Sequence, residues 1–244
     1  MSVSEFLRDR DEQAAKNGQS NYTRVAVNRF MDTIHATNYV KNFTWAGIPI
    51  LQLPTDLMVM QEIIWKVKPD YIIETGVAFG GMTLFYASML EAIGDLGEVY
   101  AIDIEIRNEN RNALDRHPLR KRIRLFEGDS SSPNMLEKIK SCMRSDSKVL
   151  ISFDSCHSHA HVLSELRLYA PLVSIGSYAV VMDTSIEFLD PQYIPKDRPW
   201  GKGNNPWTAV QEFMKGNDKF VVDTDIENRI LLTSAPSGWL RRVK

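Results

Sequence analysis

The chain has 244 residues, of which 43% are hydrophobic and 25% are charged, and its formal net charge is −2. This composition is typical of a folded globular protein and argues against intrinsic disorder. Because 29 Lys and Arg residues are balanced by 31 Asp and Glu residues, the chain lacks the overall basic charge that nucleic-acid binding usually requires.

Local features narrow the class of protein further. The two cysteines, Cys142 and Cys156, form no C-x-x-C pair, so we expect neither a disulfide framework nor a structural zinc site. The N-terminus has no apolar signal region, and no apolar stretch reaches the roughly 18 residues that span a bilayer. We therefore expect a cytoplasmic protein that binds neither a membrane nor nucleic acid. One local basic stretch, which we expect to be solvated surface, contains Arg107, Arg111, Arg116, Arg120, Lys121, Arg122 and Arg124.

Residues 1–54 are predicted to form short helices that end in a loop rich in aromatic residues and proline. We interpret this part as a helical arm or lid ahead of a single domain over residues 55–244. Such an arm could cover a ligand or contact a second copy of the chain.

The first helix of the domain is predicted from an apolar repeat. Leu57, Met60, Ile64 and Val67 recur at helical spacing. This pattern predicts a helix with Thr55 or Asp56 as its N-cap, and Pro69 should end it.

Strands and helices then alternate along the chain. Strands are predicted over 71–74, 98–102, 123–127, 148–153 and 177–182, and helices over 81–93, 107–116, 133–144 and 159–169. Five strands that alternate with helices predict an α/β fold with a mainly parallel sheet and right-handed crossovers.

The pattern changes after the fifth strand. A loop over 184–206, rich in proline and glycine, leads to a helix over 207–215 and then to apolar runs at 220–223 and 229–233. The short link between those runs predicts an antiparallel hairpin. A parallel sheet that ends in such a hairpin is the seven-stranded, Rossmann-like layout of class I methyltransferases.

Residues 71–81 are typical of a buried strand, a glycine turn and the start of a helix. Gly76 and Gly80 lack a Cβ, so the backbone can approach a ligand closely, and the first amides of the helix are free to donate. Glu74 would repel a pyrophosphate but suits the ammonium-bearing tail of S-adenosylmethionine. The spacing also misses the dinucleotide fingerprint in the register where residues 74, 76 and 79 would all have to be glycine, since only Gly76 is. An ordinary strand-to-turn junction remains the alternative.

An acidic residue ends or follows every predicted parallel strand. These residues are Glu74, Asp103, Glu127, Asp129, Asp154 and Asp183. In an open α/β sheet the ligand lies beyond these strand ends. Asp103 stands where a carboxylate accepts hydrogen bonds from ribose hydroxyls, a role common to NAD and S-adenosylmethionine sites. Asp129 could meet an adenine edge or cap the next helix.

Asp154 and Asp183 should be neighbours, since they follow adjacent strands. Two carboxylates beside a cofactor suit Mg²⁺ or another divalent ion, which would lower the pKa of an acceptor hydroxyl. His157 could then serve as the general base. Both aspartates could instead be helix or turn caps, and we expect His159 and His161 to be surface or packing residues.

A different metal site would combine His157 and His161 with Asp154. Two histidines and one carboxylate are the ligand set of non-haem iron enzymes. This interpretation requires three ligands from one strand-to-helix corner, and it would make the protein an oxidoreductase.

Several motifs together resemble the cephalosporin hydroxylase and rhamnosyl O-methyltransferase family over about residues 43–242. They are Trp45-Ala-Gly-Ile-Pro49, Leu53-Pro54, the run from Lys68 to Gly81, Asp154-Ser-Cys-His157, the runs at 161–166 and 168–173, Asp183-Thr184 and Gly238-Trp239-Leu240. The resemblance implies a class I S-adenosylmethionine fold with a divalent metal site, often oligomeric, in enzymes that O-methylate sugars or natural products. It also implies cofactor roles for Glu74, Gly76 and Asp103, metal roles for Asp154 and Asp183, and a base role for His157.

One position departs from the family pattern. The family tends to place an acid just before the Asp183 position, where this chain has Met182. A thioether is a poor ligand for Mg²⁺. Metal binding could then be weaker, an acid such as Glu187 could compensate, or the chemistry could run without metal. Met182 could also simply be a packing residue.

The combined prediction is an S-adenosylmethionine-dependent O-methyltransferase for a hydroxyl of a sugar or glycosylated natural product. The expected site residues are Glu74, Thr75, Gly76, Gly80, Gly81, Asp103, Asp129 and Asp154 for the cofactor, Asp154 and Asp183 for the metal, and His157 and Asp154 for catalysis. The loop over 184–206, with Tyr193, Trp200 and Trp207, is expected to cover the substrate or to contact another subunit of a homo-oligomer. The alternatives are an oxidoreductase and a catalytically silent partner with the same fold, the latter suggested by Met182.

Overall fold

The computed structural model describes residues 1–194 and 196–244. Two short strands, β1 (Thr44–Trp45) and β2 (Ile48–Pro49), pair with each other ahead of the main sheet. The strands of the main sheet are β3 (Tyr71–Thr75), β4 (Glu98–Asp103), β5 (Ile123–Glu127), β6 (Val149–Phe153), β7 (Tyr178–Val181), β8 (Phe220–Val222) and β9 (Trp239–Arg242). Their order across the sheet is β5-β4-β3-β6-β7-β9-β8.

The five predicted parallel strands are confirmed. β3 lies in the middle and pairs in parallel with β4 and β6, while β5 and β7 extend the sheet outward. Every residue of β3 and β6 is buried, as expected for parallel strands covered by helices on both faces. The carboxyl ends of these strands therefore meet at one edge of the sheet.

The helices form a layer on each face of the sheet. They are α1 (Val3–Gln19), α2 (Asn21–Ala36), α3 (Pro54–Val67), α4 (Gly81–Ile93), α5 (Asn108–Asp115), α6 (Pro133–Cys142), α7 (His159–Tyr169), α8 (Pro206–Met214) and α9 (Thr224–Ile230). Apolar side chains of α3, α4, α5 and α9 share one buried cluster with one face of the sheet. Side chains of α6, α7 and α8 form a second cluster on the opposite face.

The antiparallel C-terminal pair is present, but one of its predicted strands is wrong. The run at 229–233 is not a strand: it holds the end of α9 and the loop that follows. Ile226 and Ile230 pack against the same core cluster, and their four-residue spacing is that of one helix face. The second strand of the pair is β9, where Trp239 and Leu240 are fully buried.

The start of α3 also differs from the prediction. The N-cap residue is Leu53, without a side-chain cap, and Pro54 occupies the first turn. Thr55 and Asp56 lie inside the helix and bind the C-terminal loop instead. Thr55 Oγ1 donates to the carbonyl of Leu232 at 2.6 Å, and Asp56 Oδ2 accepts from the amide and hydroxyl of Ser234.

The N-terminal arm contains two long helices rather than short ones. α1 has 17 residues and α2 has 16; Ser2 caps the first and Ser20 the second through side-chain oxygens, a residue type favoured at this position. α1 packs mainly along α9. The domain boundary at residues 54 and 55 stays a prediction.

The basic stretch is largely ion-paired with neighbouring acids, as in Arg111 with Glu127 and Arg124 with Glu98, which is consistent with a solvated face. Both cysteines are free. In the described parts of the chain, no helix combines the length and apolarity needed to cross a membrane.

Candidate active site

A cavity of about 570 Å³ opens at the carboxyl edge of the parallel strands, a volume typical of a small-molecule site. The residues that line it are Pro49, Leu51, Gln52, Gly76, Val77, Ala78, Phe79, Gly81, Met82, Asp103, Ile104, Asp129, Ser130, Asp154, Ser155, Cys156, His157, His161 and Asp183. Six of the predicted site residues therefore share one cavity with His157. The three others, Glu74, Thr75 and Gly80, do not line it.

The turn after β3 requires glycine for two reasons. Gly76 has φ +91°, a left-handed conformation that L-residues with a side chain rarely adopt. A Cβ on Gly76 would also stand 2.1 Å from the carbonyl oxygen of Asp154. The turn thus brings the backbones after β3 and β6 into direct contact, which places both strand ends on the same cavity.

Asp103 holds this turn in place. Its Oδ2 accepts the amides of Val77 at 2.8 Å and Ala78 at 3.2 Å. Ala78 has φ +47°, and its carbonyl accepts a second bond from Asn110 Nδ2 at 2.7 Å. The predicted contact of Asp103 with ribose hydroxyls stays a prediction, while its contact with the turn is direct.

Glu74 lies behind the cavity wall. It is 1% exposed, and its Oε2 accepts a 2.5 Å hydrogen bond from Thr83 Oγ1 in the first turn of α4. Burial raises the pKa of Glu74 from 4.5 to about 8, opposed by the Thr83 hydrogen bond and reinforced by Asp103. Thr75 is also buried, and its carbonyl accepts the amide of Asp154 at 2.9 Å. These residues shape the turn from behind.

Asp129 caps a turn at the cavity rim. Its Oδ1 accepts the amide of Ser131 at 2.8 Å and the hydroxyl of the same residue at 2.7 Å. These bonds lower its pKa, with the Ser131 side chain as the largest cause. The N-cap of α6 is Ser132, without a side-chain bond, so Asp129 caps the preceding turn and not the helix itself. Its proposed contact with adenine stays a prediction.

Asp154, His157 and Asp183 converge on the other side of the cavity. Each offers one ligand atom, and these atoms all lie within 4.8 Å of one another. The Nε2 atom of His157 is 3.3 Å from Oδ2 of Asp183. The first two residues lie in the segment that follows β6 and the third lies just after β7, so the predicted neighbourhood of Asp154 and Asp183 is confirmed.

The electrostatics of this cluster favour a positive charge. The pKa of Asp154 is raised well above its usual range, mainly by burial and then by the carboxylates of Asp183 and Glu74. One hydrogen bond opposes this rise: Gln52 Nε2 donates to Asp154 Oδ2 at 2.7 Å. Neighbouring carboxylates that are short of donors are the usual setting for a hard divalent cation.

The contacts of Met182 and Glu187 show whether either residue could be a metal ligand beside Asp183. Met182 is 1% exposed and belongs to the core cluster, so it is a packing residue. Glu187 does not compensate for a missing ligand. Its Oε2 accepts the amide of Gly203 at 2.8 Å and Nδ2 of Asn205 at 2.6 Å, and it therefore fixes the loop ahead of α8.

The two other histidines of this region have structural partners. His159 contacts Thr208 Oγ1 at 2.8 Å and Glu212 Oε2 at 3.2 Å, which confirms it as a packing residue between α7 and α8. His161 lines the cavity, but its Nε2 faces Ser155 Oγ at 3.1 Å and Glu165 Oε1 at 3.3 Å. The Glu165 hydrogen bond raises the pKa of His161. The described residues thus do not assemble His161 with Asp154 and His157 as an iron site.

The loop over 184–206 reaches the cluster through one aromatic side chain. The ring of Trp200 stands edge-on to the His157 ring, with centroids 5.0 Å apart. Trp207 packs against Phe188 instead, at 5.6 Å, and Tyr193 lies in a short 3₁₀ helix, Pro191–Tyr193, that packs near α2. Residue 195 of this loop lies outside the described residues.

Sequence reasoning missed several lining residues, above all Gln52, Ser130, Ser155 and Phe79. Gln52 carried one signal: it is a polar residue inside the apolar run from Ile50 to Pro54. It belongs to the segment assigned to the arm, so the site draws on both sides of the predicted boundary. The small and apolar lining residues carry no chemical signature that a sequence pattern could reveal.

Comparison with known proteins gives one consistent result. The family model for rhamnosyl O-methyltransferase/CmcI matches residues 37–243. A rhamnosyl O-methyltransferase of Mycobacterium bovis (strain BCG / Pasteur 1173P2) is 32% identical over 203 residues, which cover 82% of this chain and 78% of the relative. The enzyme of the same name from Mycobacterium leprae is 30% identical over 208 residues, covering 84% and 86%.

Solved structures agree on the fold. A CmcI structure with Mg and SAM superposes with a TM-score of 0.58 at 20% identity, covering 84% of this chain and 78% of the other. An O-methyltransferase from Bacillus cereus in complex with SAH gives a TM-score of 0.52 at 14% identity, covering 83% and 82%. At these identities the likeness establishes the methyltransferase fold.

Proposed function

Because the chain belongs to the rhamnosyl O-methyltransferase/CmcI family, a family of S-adenosylmethionine-dependent O-methyltransferases, we propose that it methylates a sugar hydroxyl with the help of a divalent cation. The observation that carries this proposal is the convergence of Asp154, His157 and Asp183 in the cavity that also contains the Gly76 turn. A donor site and a deprotonating site are thereby placed side by side.

The half of the cavity at the carboxyl ends of β3 and β4 fits S-adenosylmethionine. The backbone turn at Gly76 lies at the cavity, and Phe79, Met82 and Ile104 provide apolar lining. Asp103 Oδ1 accepts one long hydrogen bond, 3.3 Å from the amide of Glu105, and keeps capacity for a hydroxyl donor. This chemistry suits a nucleoside that carries a positively charged sulfonium with apolar substituents.

The half below β6 and β7 fits a divalent cation. Asp154 and Asp183 supply hard oxygen atoms, which Mg²⁺ prefers, and waters or the acceptor would complete its shell. Bound in this cavity, S-adenosylmethionine would supply the methyl group, and the cation would lower the pKa of the acceptor hydroxyl. An imidazole suits Zn²⁺ or Fe²⁺ better than Mg²⁺, so with Mg²⁺ the His157 ring is left free.

His157 is then placed to accept the proton of the acceptor hydroxyl. Its Nε2 lies 3.3 Å from Oδ2 of Asp183, and this contact orients the ring for general-base catalysis. The Trp200 ring packs against it in a T-shaped arrangement and limits the orientations of the imidazole. Holding donor, acceptor and base in line is the main task of such an enzyme, since alignment alone can lower a barrier by several kcal/mol.

The acceptor class rests on the relatives and on the cavity wall. The curated relatives are rhamnosyl O-methyltransferases. Leu51 and Phe79 are 39% and 41% exposed at the cavity, and Trp200 adjoins the base; apolar and aromatic faces of this kind suit the C–H faces of a sugar ring. We therefore favour a rhamnosyl or related glycosyl acceptor.

The arm supports a homo-oligomer. Val3, Phe6, Tyr22 and Phe30 on α1 and α2 are 76%, 53%, 85% and 47% exposed, and exposed apolar side chains on adjoining helices are typical of subunit contacts. Sedimentation velocity of the whole chain tests this part: a monomer at micromolar concentration would contradict it.

The activity is tested by incubating purified protein with S-adenosylmethionine, Mg²⁺ and a panel of rhamnosyl and other glycosyl acceptors. The expected product carries one added methyl group by mass spectrometry, and its formation should stop when a chelator is added. Methylation that continues in excess chelator would contradict metal assistance. Absence of transfer to any glycoside, with transfer to a phenol or catechol instead, would contradict the sugar assignment.

A further inference from the structure

Gln52 is a buried amide that reaches the metal cluster from the far side of the cavity. It is 5% exposed and lies between β2 and α3, with Ile50 and Leu53 buried on either side. Its Nε2 donates to Asp154 Oδ2 at 2.7 Å. A buried amide is costly unless it is hydrogen-bonded, and its bond to a carboxylate is of the strong, charge-assisted kind.

The fact that Gln52 is uncharged matters as much as its hydrogen bond. Four aspartates line the cavity: Asp103, Asp129, Asp154 and Asp183. The described lining residues include no Lys or Arg. A cationic side chain at position 52 would neutralise Asp154 and compete with a metal ion. A neutral amide fixes one oxygen of Asp154 and leaves the charge and the second oxygen available.

The backbone that carries Gln52 is held firmly against α4. A Cβ on Gly81 would stand 2.2 Å from the carbonyl oxygen of Pro49, so the segment and the start of α4 are in direct contact. The amide of Ile50 donates to the carbonyl of Phe43 at 3.1 Å, and Trp45 Nε1 donates to Ser88 Oγ at 3.1 Å. Gln52 therefore projects from a supported segment, which is what orientation of a ligand requires.

We infer that Gln52 is a positioning residue of the metal centre: it holds Asp154 so that the free oxygen, together with Asp183, faces a divalent cation. This inference rests on the proposed function, because it presupposes a cation at Asp154 and Asp183. It also means that the segment before α3, and not only the strand ends, determines the affinity for the metal.

Two substitutions test the role without changing a metal ligand. Gln52→Met keeps the length and volume of the side chain but removes the donor, and Gln52→Asn keeps the amide but shortens its reach. Gln61→Asn is the matched control. Gln61 is on α3, its Nε2 donates to the carbonyl of Met58 at 3.0 Å, and it is not among the residues that line the cavity. Thermal unfolding of each variant establishes that it is folded.

The readout is calorimetric titration of chelator-treated full-length protein with Mn²⁺ and with Mg²⁺. Loss of a group that orients a metal ligand typically weakens metal affinity by about 10- to 100-fold, and we expect this for both Gln52 variants, with Gln61→Asn like wild type. Affinity for S-adenosylmethionine without metal should stay within about twofold. Turnover should recover at saturating Mg²⁺, which a merely structural role would not produce.

The outcomes separate the inference from the proposal beneath it. If wild type binds the metal and folded Gln52→Met and Gln52→Asn bind it equally well, Gln52 has no positioning role while the metal-assisted function stands. If wild type itself binds neither Mn²⁺ nor Mg²⁺, metal assistance fails and the inference fails with it.

Discussion

The two halves of the cavity are built from different groups. At the carboxyl ends of β3 and β4, the Gly76 turn and apolar side chains form the wall. The carboxylates at and behind this wall have donors: Val77 and Ala78 for Asp103, and Thr83 for Glu74. Below β6 and β7, side chains form the wall, and the described contacts of Asp154 and Asp183 there are with Gln52 and His157. The carboxylates of the first half thus receive donors from backbone amides and a hydroxyl, whereas those of the second half have few donors.

We infer from this difference that one half of the cavity binds the cofactor and the other binds a cation. A wall of backbone groups at fixed positions suits a ligand that is always the same, as a cofactor is. Paired carboxylates with few donors suit a cation, which offsets their repulsion and in turn acts on the acceptor. The two halves should therefore respond differently to mutation, and four substitutions test that separation in order of expected effect.

The largest effect is expected for Asp183→Asn. Asp183 has φ +55°, which asparagine also tolerates, so the backbone should be preserved. The variant loses a metal ligand and the partner of His157, and we expect methyl transfer to fall by at least about 10³-fold, since the metal alone contributes several kcal/mol. Steady-state rates at saturating S-adenosylmethionine measure this.

The control for that variant is Asp146→Asn, an exposed residue that also has a positive φ of 58°. It should retain wild-type rates. An Asp183→Asn enzyme with more than a tenth of the wild-type rate would contradict a metal site in this half of the cavity.

His157→Gln is expected to slow the reaction by about 100-fold at neutral pH, within the range that general-base catalysis contributes. Mg²⁺ and S-adenosylmethionine should still bind within a few-fold of wild type, because neither depends on the imidazole. The loss should shrink as pH rises, since the acceptor hydroxyl then loses its proton without the base. The pH–rate profile checks this. The control is His117→Gln, because His117 contacts the carbonyl of Ala46 and the amide of Leu119 and is not among the residues that line the cavity. Loss of Mg²⁺ binding would instead make His157 a ligand.

Gly76→Ala tests the other half. The new Cβ would stand 2.1 Å from the Asp154 carbonyl at φ +91°, so the turn must move, and we expect affinity for S-adenosylmethionine to fall by about tenfold or more. Gly94→Ala is a close match, with φ +85° but nothing within 4 Å of the added atom. It should lose about 1 kcal/mol of stability and keep cofactor affinity. Equal cofactor affinity in the two variants would contradict the role of the turn.

The smallest effect on the reaction itself is expected for Glu74→Gln, which should instead change the stability of the chain with pH. Burial raises the pKa of Glu74 from 4.5 to about 8, so between these pH values the folded chain holds a proton that the unfolded chain has released. Stability contributed by this group therefore falls as pH rises through that window, by up to about 1.4 kcal/mol per pH unit. Glu74→Gln removes the titration and should gain on wild type as pH increases.

Denaturant unfolding at several pH values measures that difference. The exposed Glu109→Gln is the control and should follow wild type within about 0.5 kcal/mol. A Glu74→Gln variant that loses stability relative to wild type toward alkaline pH would show that the carboxylate form of Glu74 is the stabilised one.

The sequence was sufficient for the parallel sheet, because buried strands that alternate with helices leave a strong period in the apolar residues. It failed at 229–233, where Ile230, Leu231 and Leu232 form a short apolar run. Such a run is compatible with either the end of a helix or a strand. The neighbouring Ile226, four residues before Ile230, was the signal for a helix face. β9 has four residues, too few for periodicity to reveal.

The candidate site divides in the same way. Asp154 and Asp183 were predictable as neighbours, because adjacent parallel strands bring their ends together. Gln52 was not, because its contact with Asp154 joins residues 102 positions apart in the chain, and the fold alone creates it. Likewise, the placement of Glu74 behind the wall depends on how α4 packs, which local patterns do not specify.

The most direct test of the two-part cavity is calorimetric titration of chelator-treated wild type and Asp183→Asn with S-adenosylmethionine and, separately, with Mg²⁺. We predict that S-adenosylmethionine binds both proteins with similar affinity, while Mg²⁺ binds wild type and not Asp183→Asn. Absence of S-adenosylmethionine binding to wild type, or Mg²⁺ binding that survives Asp183→Asn unchanged, would contradict the account.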